Sequence, residues 1–174
     1  CQDEIIRHYE AVAAATKNNI VVYNIPGMTH VSIQPDTIAK IADIDNVVAY
    51  MDSCADWEQV QRELFLLEDK DIAFFNGAEE LCSASMLNGA QGCVPGLSNF
   101  FPKLFVDMYY AAEKGDVKKC YDLQKAVWEL RKCLFIGKHW MSAMKHIGAT
   151  MGFGEDIAML PIEPLTEEQK KLID

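Results

Sequence analysis

The sequence contains no apolar run approaching the length of about eighteen residues that a spanning helix requires, and it opens on the polar stretch Cys1-Gln2-Asp3-Glu4. We therefore expect neither a membrane segment nor a secretory leader. Positive charge is also scarce: 16 Lys and Arg stand against 26 Asp and Glu, a formal net charge of -10. Such a chain is repelled by phosphate backbones and anionic lipid, so nucleic-acid and membrane partners are disfavoured. The six cysteines, at 1, 54, 82, 93, 120 and 133, form no C-x-x-C pair and no His/Cys cluster at zinc spacing. Free thiols in a reducing, cytoplasmic compartment are the expectation. An initiator Met is lacking as well, and residue 1 falls in what reads as the polar start of an amphipathic helix, which suggests a fragment. What is present is apolar material: 50% of the 174 residues are hydrophobic and 24% charged, which suits one packed domain and argues against disorder.

Four short strand-like runs recur: Ile20 to Ile25, Val47 to Met51, Ile72 to Phe75, and Gly92-Cys93-Val94. Their nearly continuous apolar character, rich in β-branched and aromatic residues, suits parallel strands buried on both faces. Each is followed by a helix-like stretch, and alternating units of this kind argue for an α/β fold. Pro35 suits a first helical position, and Asp56 with Gln59 has the form of a capping box ahead of Val60, Leu64 and Leu67. After about residue 100 only helical signals remain. Gly115 and Asp116 separate two of them as C-cap and N-cap, and Cys120, Leu123, Val127, Leu130 and Leu134 share one face of the second. Gly137 precedes another helix containing Trp140, Met144 and Ile147, and Thr166 to Gln169 forms a box opening a last one. The expected division is residues 1–114 as a βα region and 115–174 as a helical extension. Four βα units are half of a (β/α)8 barrel or a small open sheet, and composition does not separate the two.

Chemistry first becomes visible at Val22-Tyr23-Asn24-Ile25-Pro26-Gly27. A Tyr at the carboxyl end of a strand, followed by a Pro-Gly turn, projects a phenol into the face where barrel enzymes work. The same pattern also describes a buried Tyr before an ordinary turn. His139 and His146, seven apart, have no carboxylate completing a metal set in the sequence, so no metal and no cofactor is expected. Cys54, Cys82 and Cys93 read as small buried hydrophobes.

Taken together, Tyr23 to Gly27, Asn46 to Ser53, Asn76-Gly77-Ala78-Glu79-Glu80, Gly89 to Asn99 and the ending Leu160 to Thr166 resemble, in order and spacing, the dihydrodipicolinate synthase and N-acetylneuraminate lyase family. These are class I pyruvate-dependent aldolases on a (β/α)8 TIM barrel, and the resemblance covers the second half of the barrel plus the helical appendage. It implies carbon–carbon lyase or aldolase chemistry on a 2-oxo acid, of pyruvate or sugar-acid type, and a homo-oligomer, dimer or tetramer. It assigns Tyr23 to a proton relay. It also places Met51 where the family has its Schiff-base lysine. Imine catalysis needs a nucleophilic amine whose iminium then acts as an electron sink, and a thioether supplies neither. The family's Gly-Thr-Thr-like carboxylate-binding loop has no counterpart in this sequence. By the same resemblance Gly77, Glu79 and Glu80 fall where the lyases contact the hydroxylated tail of a sugar acid. Ser53 falls at a position carrying a hydroxyl near the substrate, and Val94 and Gly96 at positions lining the cavity. Acids in a first helical turn also complement the helix dipole without any ligand. Four readings stand: a lyase or aldolase, a non-catalytic 2-oxo-acid or sugar-acid binder, a protein using Tyr23 for enolisation without an imine, and an incomplete half barrel needing a partner segment.

Overall fold

The computed structural model describes all 174 residues. In chain order the elements are α1 (Gln2–Ala14), β1 (Ile20–Asn24), α2 (Pro26–Thr29), α3 (Pro35–Ile41), β2 (Val47–Asp52), α4 (Trp57–Leu67), β3 (Ala73–Asn76), α5 (Cys82–Leu87), β4 (Gly92–Cys93), α6 (Pro102–Glu113), α7 (Val117–Cys133), α8 (Trp140–Thr150) and α9 (Glu167–Lys170). The four strands form one parallel sheet in serial order, each beside the next, as in a stretch of a (β/α)8 barrel.

Strand alternation divides the sheet into two unlike faces. Val22, Tyr50 and Phe74 are register partners, and all are buried against Ile38, Ile41, Val60, Leu64 and Leu67 of α3 and α4. The next row, Tyr23, Met51, Phe75 and Gly92, points the other way. Here no helix covers the sheet: Val21 is 57% and Tyr23 43% exposed. In a closed barrel this is the face turned to the centre. A second core cluster joins Cys82, Met86, Leu97, Phe105 and Met108 to Val127, Leu134, Ala143 and Ile147, so apolar packing runs across residue 115.

The local signals mostly act as their chemistry dictates. Pro35 is the first residue of α3, Asp116 caps α7 by accepting from Lys119 N, and Thr166 with Gln169 completes a capping box. Gly115, at φ 66°, takes the left-handed turn between α6 and α7. Two expectations need correction. Asp56 caps α4 by accepting from Glu58 N and Gln59 N, but the Gln59 amide does not return to it; it donates to Ile33 O and to Glu63 Oε1. The last strand stops at Cys93 rather than Val94, because after Val94 N donates to Asn76 O, Pro95 has no N–H to continue the ladder.

One core group is ionisable. Glu63, fully buried on α4, accepts from the Tyr50 hydroxyl (2.9 Å) and from Gln59, while its Oε2 has no partner. Burial, followed by the nearby Asp52 charge, pushes its carboxyl up to about 8. The folded chain therefore holds this proton to higher pH than the unfolded chain does. Its stability falls as pH rises from about 4.5 towards 8 and levels off above. Glu63→Gln, which keeps the acceptor and carries no charge, is expected to remove that slope. At pH 9 it should raise the melting temperature by roughly 5 °C, equivalent to about 2 kcal/mol. Thermal denaturation of both proteins at pH 5 and pH 9 checks this.

Candidate functional site

The carboxyl ends of β1, β2 and β3 lie level because of buried polar residues one position beyond the open row. Asn24 and Asp52 are register partners, as are Asp52 and Asn76, and all three are at most 1% exposed. The Asn24 amide donates to Asp52 Oδ1 at 2.6 Å and its carbonyl accepts from Ile33 N at 3.0 Å. Asp52 also accepts from Tyr50 Oη (3.3 Å) and Cys54 N (3.2 Å), and Asn76 Oδ1 accepts from Ala78 N (3.0 Å). Backbone bonds from Ser53 N to Asn24 O and from Gly77 N to Asp52 O carry the ladder one step past the strands.

On this platform four of the sequence-expected residues, Tyr23, Met51, Ser53 and Gly77, meet. Ser53 Oγ donates to the Tyr23 hydroxyl at 3.3 Å. At Gly77 an added Cβ would lie 2.0 Å from Ser53 Oγ and 2.8 Å from Met51 Cε, so the Met51 thioether and the Ser53 hydroxyl close directly over this glycine. A side chain at Gly77 would have to displace both the Ser53 hydroxyl and the Met51 methyl group from their present positions. Close to Ser53, Ala55 adopts φ 59°, a left-handed conformation that costs a non-glycine residue about 1–2 kcal/mol.

Glu79, Val94 and Gly96 occupy the neighbouring part of the sheet edge. Glu79 Oε1 accepts from Leu97 N at 3.3 Å and would lie 3.2 Å from a Cβ on Gly96; its backbone carbonyl accepts from Gln124. Val94, about half exposed, lines a cavity of about 380 Å³ with Phe75, Cys93, Ser98 and Tyr109. Glu80 sits differently from its neighbours. Its Oε1 pairs with Arg131 Nη2 at 3.1 Å, and that guanidinium also lies over the Trp128 and Phe135 rings. Glu80 therefore anchors α7 to the βα region. Of the acids expected at a substrate, Glu80 is thus engaged in an ion pair through Oε1.

Tyr23 also borders a cavity of about 590 Å³ between α1, β1 and residues 29–33, where His8, Tyr9 and His30 join it. Neither histidine belongs to a strand-end motif: His8 lies on α1, and His30 directly follows α2. His139 does not share a helix face with His146; it is the N-cap of α8, its Nδ1 accepting from Met141 N. His146 does find carboxylates, Asp156 and Asp174, which the sequence did not bring together. No group of three His, Cys, Asp or Glu is placed to hold a metal ion, and all six cysteines are free thiols. Burial, together with hydrogen bonding to Asp52, pushes the Cys54 thiol well above its ordinary range, so it is not a ready thiolate. The lysines flanking β2 in sequence are elsewhere: Lys40 is exposed at the end of α3, and Lys70 is paired with Asp43 ahead of β3.

Residues 1–174 match the model of the dihydrodipicolinate synthetase family. Among curated relatives, 4-hydroxy-tetrahydrodipicolinate synthase of Kosmotoga olearia is 29% identical over 175 residues, covering 99% of this chain and 59% of the relative. The enzyme of that name from Bartonella bacilliformis is 32% identical over 176 residues, with 99% and 58% covered. Among solved structures, dihydrodipicolinate synthase from Bacteroides thetaiotaomicron superposes with a TM-score of 0.91 at 29% identity, covering 99% of this chain and 60% of that one. The Thermotoga maritima structure gives 0.90 at 29% identity, with 99% and 59% covered. The chain thus spans about three fifths of the length of these relatives, and its four βα units and helical appendage correspond to the second half of the (β/α)8 barrel. Because the family match extends over all 174 residues and the same fold returns in structures sharing more than a quarter of the sequence, the chain belongs to the dihydrodipicolinate synthetase family.

Proposed function

We propose that this member of a lyase and aldolase family binds a 2-oxo acid, of pyruvate or sugar-acid type, without forming an imine on this chain. The observation that carries the reading is the place of Met51. It stands in the open row between its register partners Tyr23 and Phe75, and its methyl group reaches Gly77 at the strand ends. An amine here would attack a keto carbon; a thioether presents only a polarisable apolar surface. Around it, the Tyr23 and Ser53 hydroxyls can both donate to a carboxylate or a keto oxygen. Gly77 lets Met51 and Ser53 close over the strand end and Gly96 does the same for Glu79, Val94 lines the adjoining cavity, and Glu79 can accept from a substrate hydroxyl. Glu80, committed to Arg131, is left out of the proposed site. The relatives' name, 4-hydroxy-tetrahydrodipicolinate synthase, agrees with an acid of this class as ligand.

The Ser53-to-Tyr23 hydrogen bond supports a second reading, proton relay by the Tyr23 phenol in an enolisation step that needs no imine. A homo-oligomer belongs to the proposal as well: Val117, Tyr121 and Trp128, on steps of four and seven, present one exposed apolar strip along α7.

Borohydride reduction of the full-length protein with pyruvate, read by intact mass, is expected to leave it unmodified. A reduced pyruvate on any lysine of the natural protein overturns the reading. Met51→Lys is expected to gain one trapped pyruvate per chain. Calorimetric titration with pyruvate should show binding to the natural protein that weakens about tenfold in Tyr23→Phe, the loss of one hydrogen bond to a charged or polar ligand, about 1.4 kcal/mol. If Tyr23→Phe slows a measured turnover while binding is unchanged, the enolisation reading replaces simple binding.

A further inference from the structure

The segment that follows α8 returns across that helix and is held there by contacts of several kinds. Ser142 Oγ donates to Glu163 O at 2.6 Å, Lys138 pairs with Glu163, and Gln169 Nε2 donates to Ile136 O at 3.0 Å. Leu165 is buried, its Cδ2 only 2.5 Å from where a Cβ on Gly137 would lie. None of these groups changes charge near neutral pH. The remaining contact does.

His146, buried in the middle of α8, places Nδ1 3.0 Å from Asp156 Oδ2 and Nε2 3.0 Å from Asp174 Oδ1. A carboxylate can only accept, so both contacts are hydrogen bonds only when both ring nitrogens carry a proton. The neutral ring has one N–H, and one of the two carboxylates would then face a lone pair. The charged groups set against the ring are Asp156 from the turn after α8 and Asp174 beyond α9, with Lys170 reaching Asp156 at 3.0 Å. Asp156 therefore keeps a cationic partner when the ring is neutral. Its carboxyl is held low against the opposing effect of burial by hydrogen bonds from Lys170 and His146. Asp174 has no ion-pair partner other than His146, and half of its side chain is in water. On loss of the proton Asp174 is the carboxylate that lets go.

We infer that His146 is a pH-operated clasp, holding Asp174 and the residues just before it on α8 while its ring is doubly protonated and releasing them when the proton leaves for solvent. The sign follows directly: the clasp is closed at low pH and opens as pH rises through the ring's titration. Release has a consequence next door. Ile173 packs on the second core cluster, and with Asp174 it closes one side of a cavity of about 300 Å³ lined by Phe101, Leu130, Ile147 and Thr150. Freeing residues 171–174 removes the Ile173 wall of that groove, so the helical extension presents a different surface on the two sides of the transition.

Hydrogen–deuterium exchange of the full-length protein from pH 5.5 to 8.5, with exchange times scaled for the intrinsic pH dependence of amide exchange, tests this. Protection of the peptide covering residues 167–174 is expected to fall at least tenfold across a single midpoint, and to do so equally in Glu63→Gln, in which the pH-dependent loss of core stability is removed. Deuteration at the imidazole C2, read by mass spectrometry in the same samples, follows the His146 titration, and its midpoint should coincide. Asp174→Asn offers both a donor and an acceptor and so matches either ring state; in this surface variant the midpoint in residues 167–174 should vanish. His146→Gln should give the low protection at every pH. Constant protection in the natural protein, midpoints more than one pH unit apart, or a transition that persists in Asp174→Asn each overturn the inference.

Discussion

Asp52 is a carboxylate with no exposure to water, and so much of the site depends on how it is satisfied that it serves as the keystone of the sheet end. An isolated buried carboxylate is costly by several kcal/mol, yet one fully supplied with donors is tolerated. Here the donors come from three directions: the Asn24 amide across the sheet, the Tyr50 hydroxyl from its own strand, and Cys54 N from the turn that follows. Each donor fixes a neighbour. Asn24 sets the register of β1 on β2 and puts the Tyr23 phenol beside the Ser53 hydroxyl, and the Asp52 carbonyl takes the Gly77 N–H and draws β3 level. Removing the carboxylate would leave several buried donors unmatched at once. The second buried acid, Glu63, shares the Tyr50 hydroxyl with Asp52 and is kept neutral by its burial and then by the Asp52 charge, which makes the network sensitive to rising pH.

The same sheet is unevenly covered. Its Val22, Tyr50 and Phe74 row is sealed by α3 and α4, while the Val21, Tyr23, Met51 and Phe75 row faces outwards. Parallel sheets are ordinarily covered on both faces, because their strands are apolar on both. The open row is the one that a closed barrel turns inwards, and the relatives this chain resembles are longer by about two fifths of their own length. The residues that would carry chemistry lie on that open face, so the site and the uncovered surface are one and the same.

On the proposed reading Met51 is the position at which this niche departs from an imine-forming site. Strand order, register, the Asn24–Asp52 contact, the Ser53 hydroxyl and the close approach at Gly77 all maintain a niche at the strand ends, and a thioether occupies its centre. On that reading fold and imine chemistry separate at this position for a simple reason. A Met side chain fills roughly the volume of the aliphatic part of a lysine and packs as well in a half-buried place, whereas only the lysine nitrogen can form the imine.

Local signals in the sequence determined the four strands, the helix starts at Pro35, Asp56, Asp116 and Thr166, the placing of Tyr23 at a strand end and the absence of an amine at Met51. Those features depend on neighbours within a few residues, where side-chain period and capping chemistry act. Tertiary structure alone decided the partners of the polar side chains. Ser53 meets Tyr23 from 30 residues away, Glu80 meets Arg131 from 51, and His146 meets Asp174 from 28. A carboxylate or imidazole in a sequence carries no mark of which distant donor or acceptor it will face. Glu80 thus gains Arg131 as an ion-pair partner, and His146, unaccompanied in the sequence, sits between two acids, because packing brings those elements together and local pattern does not.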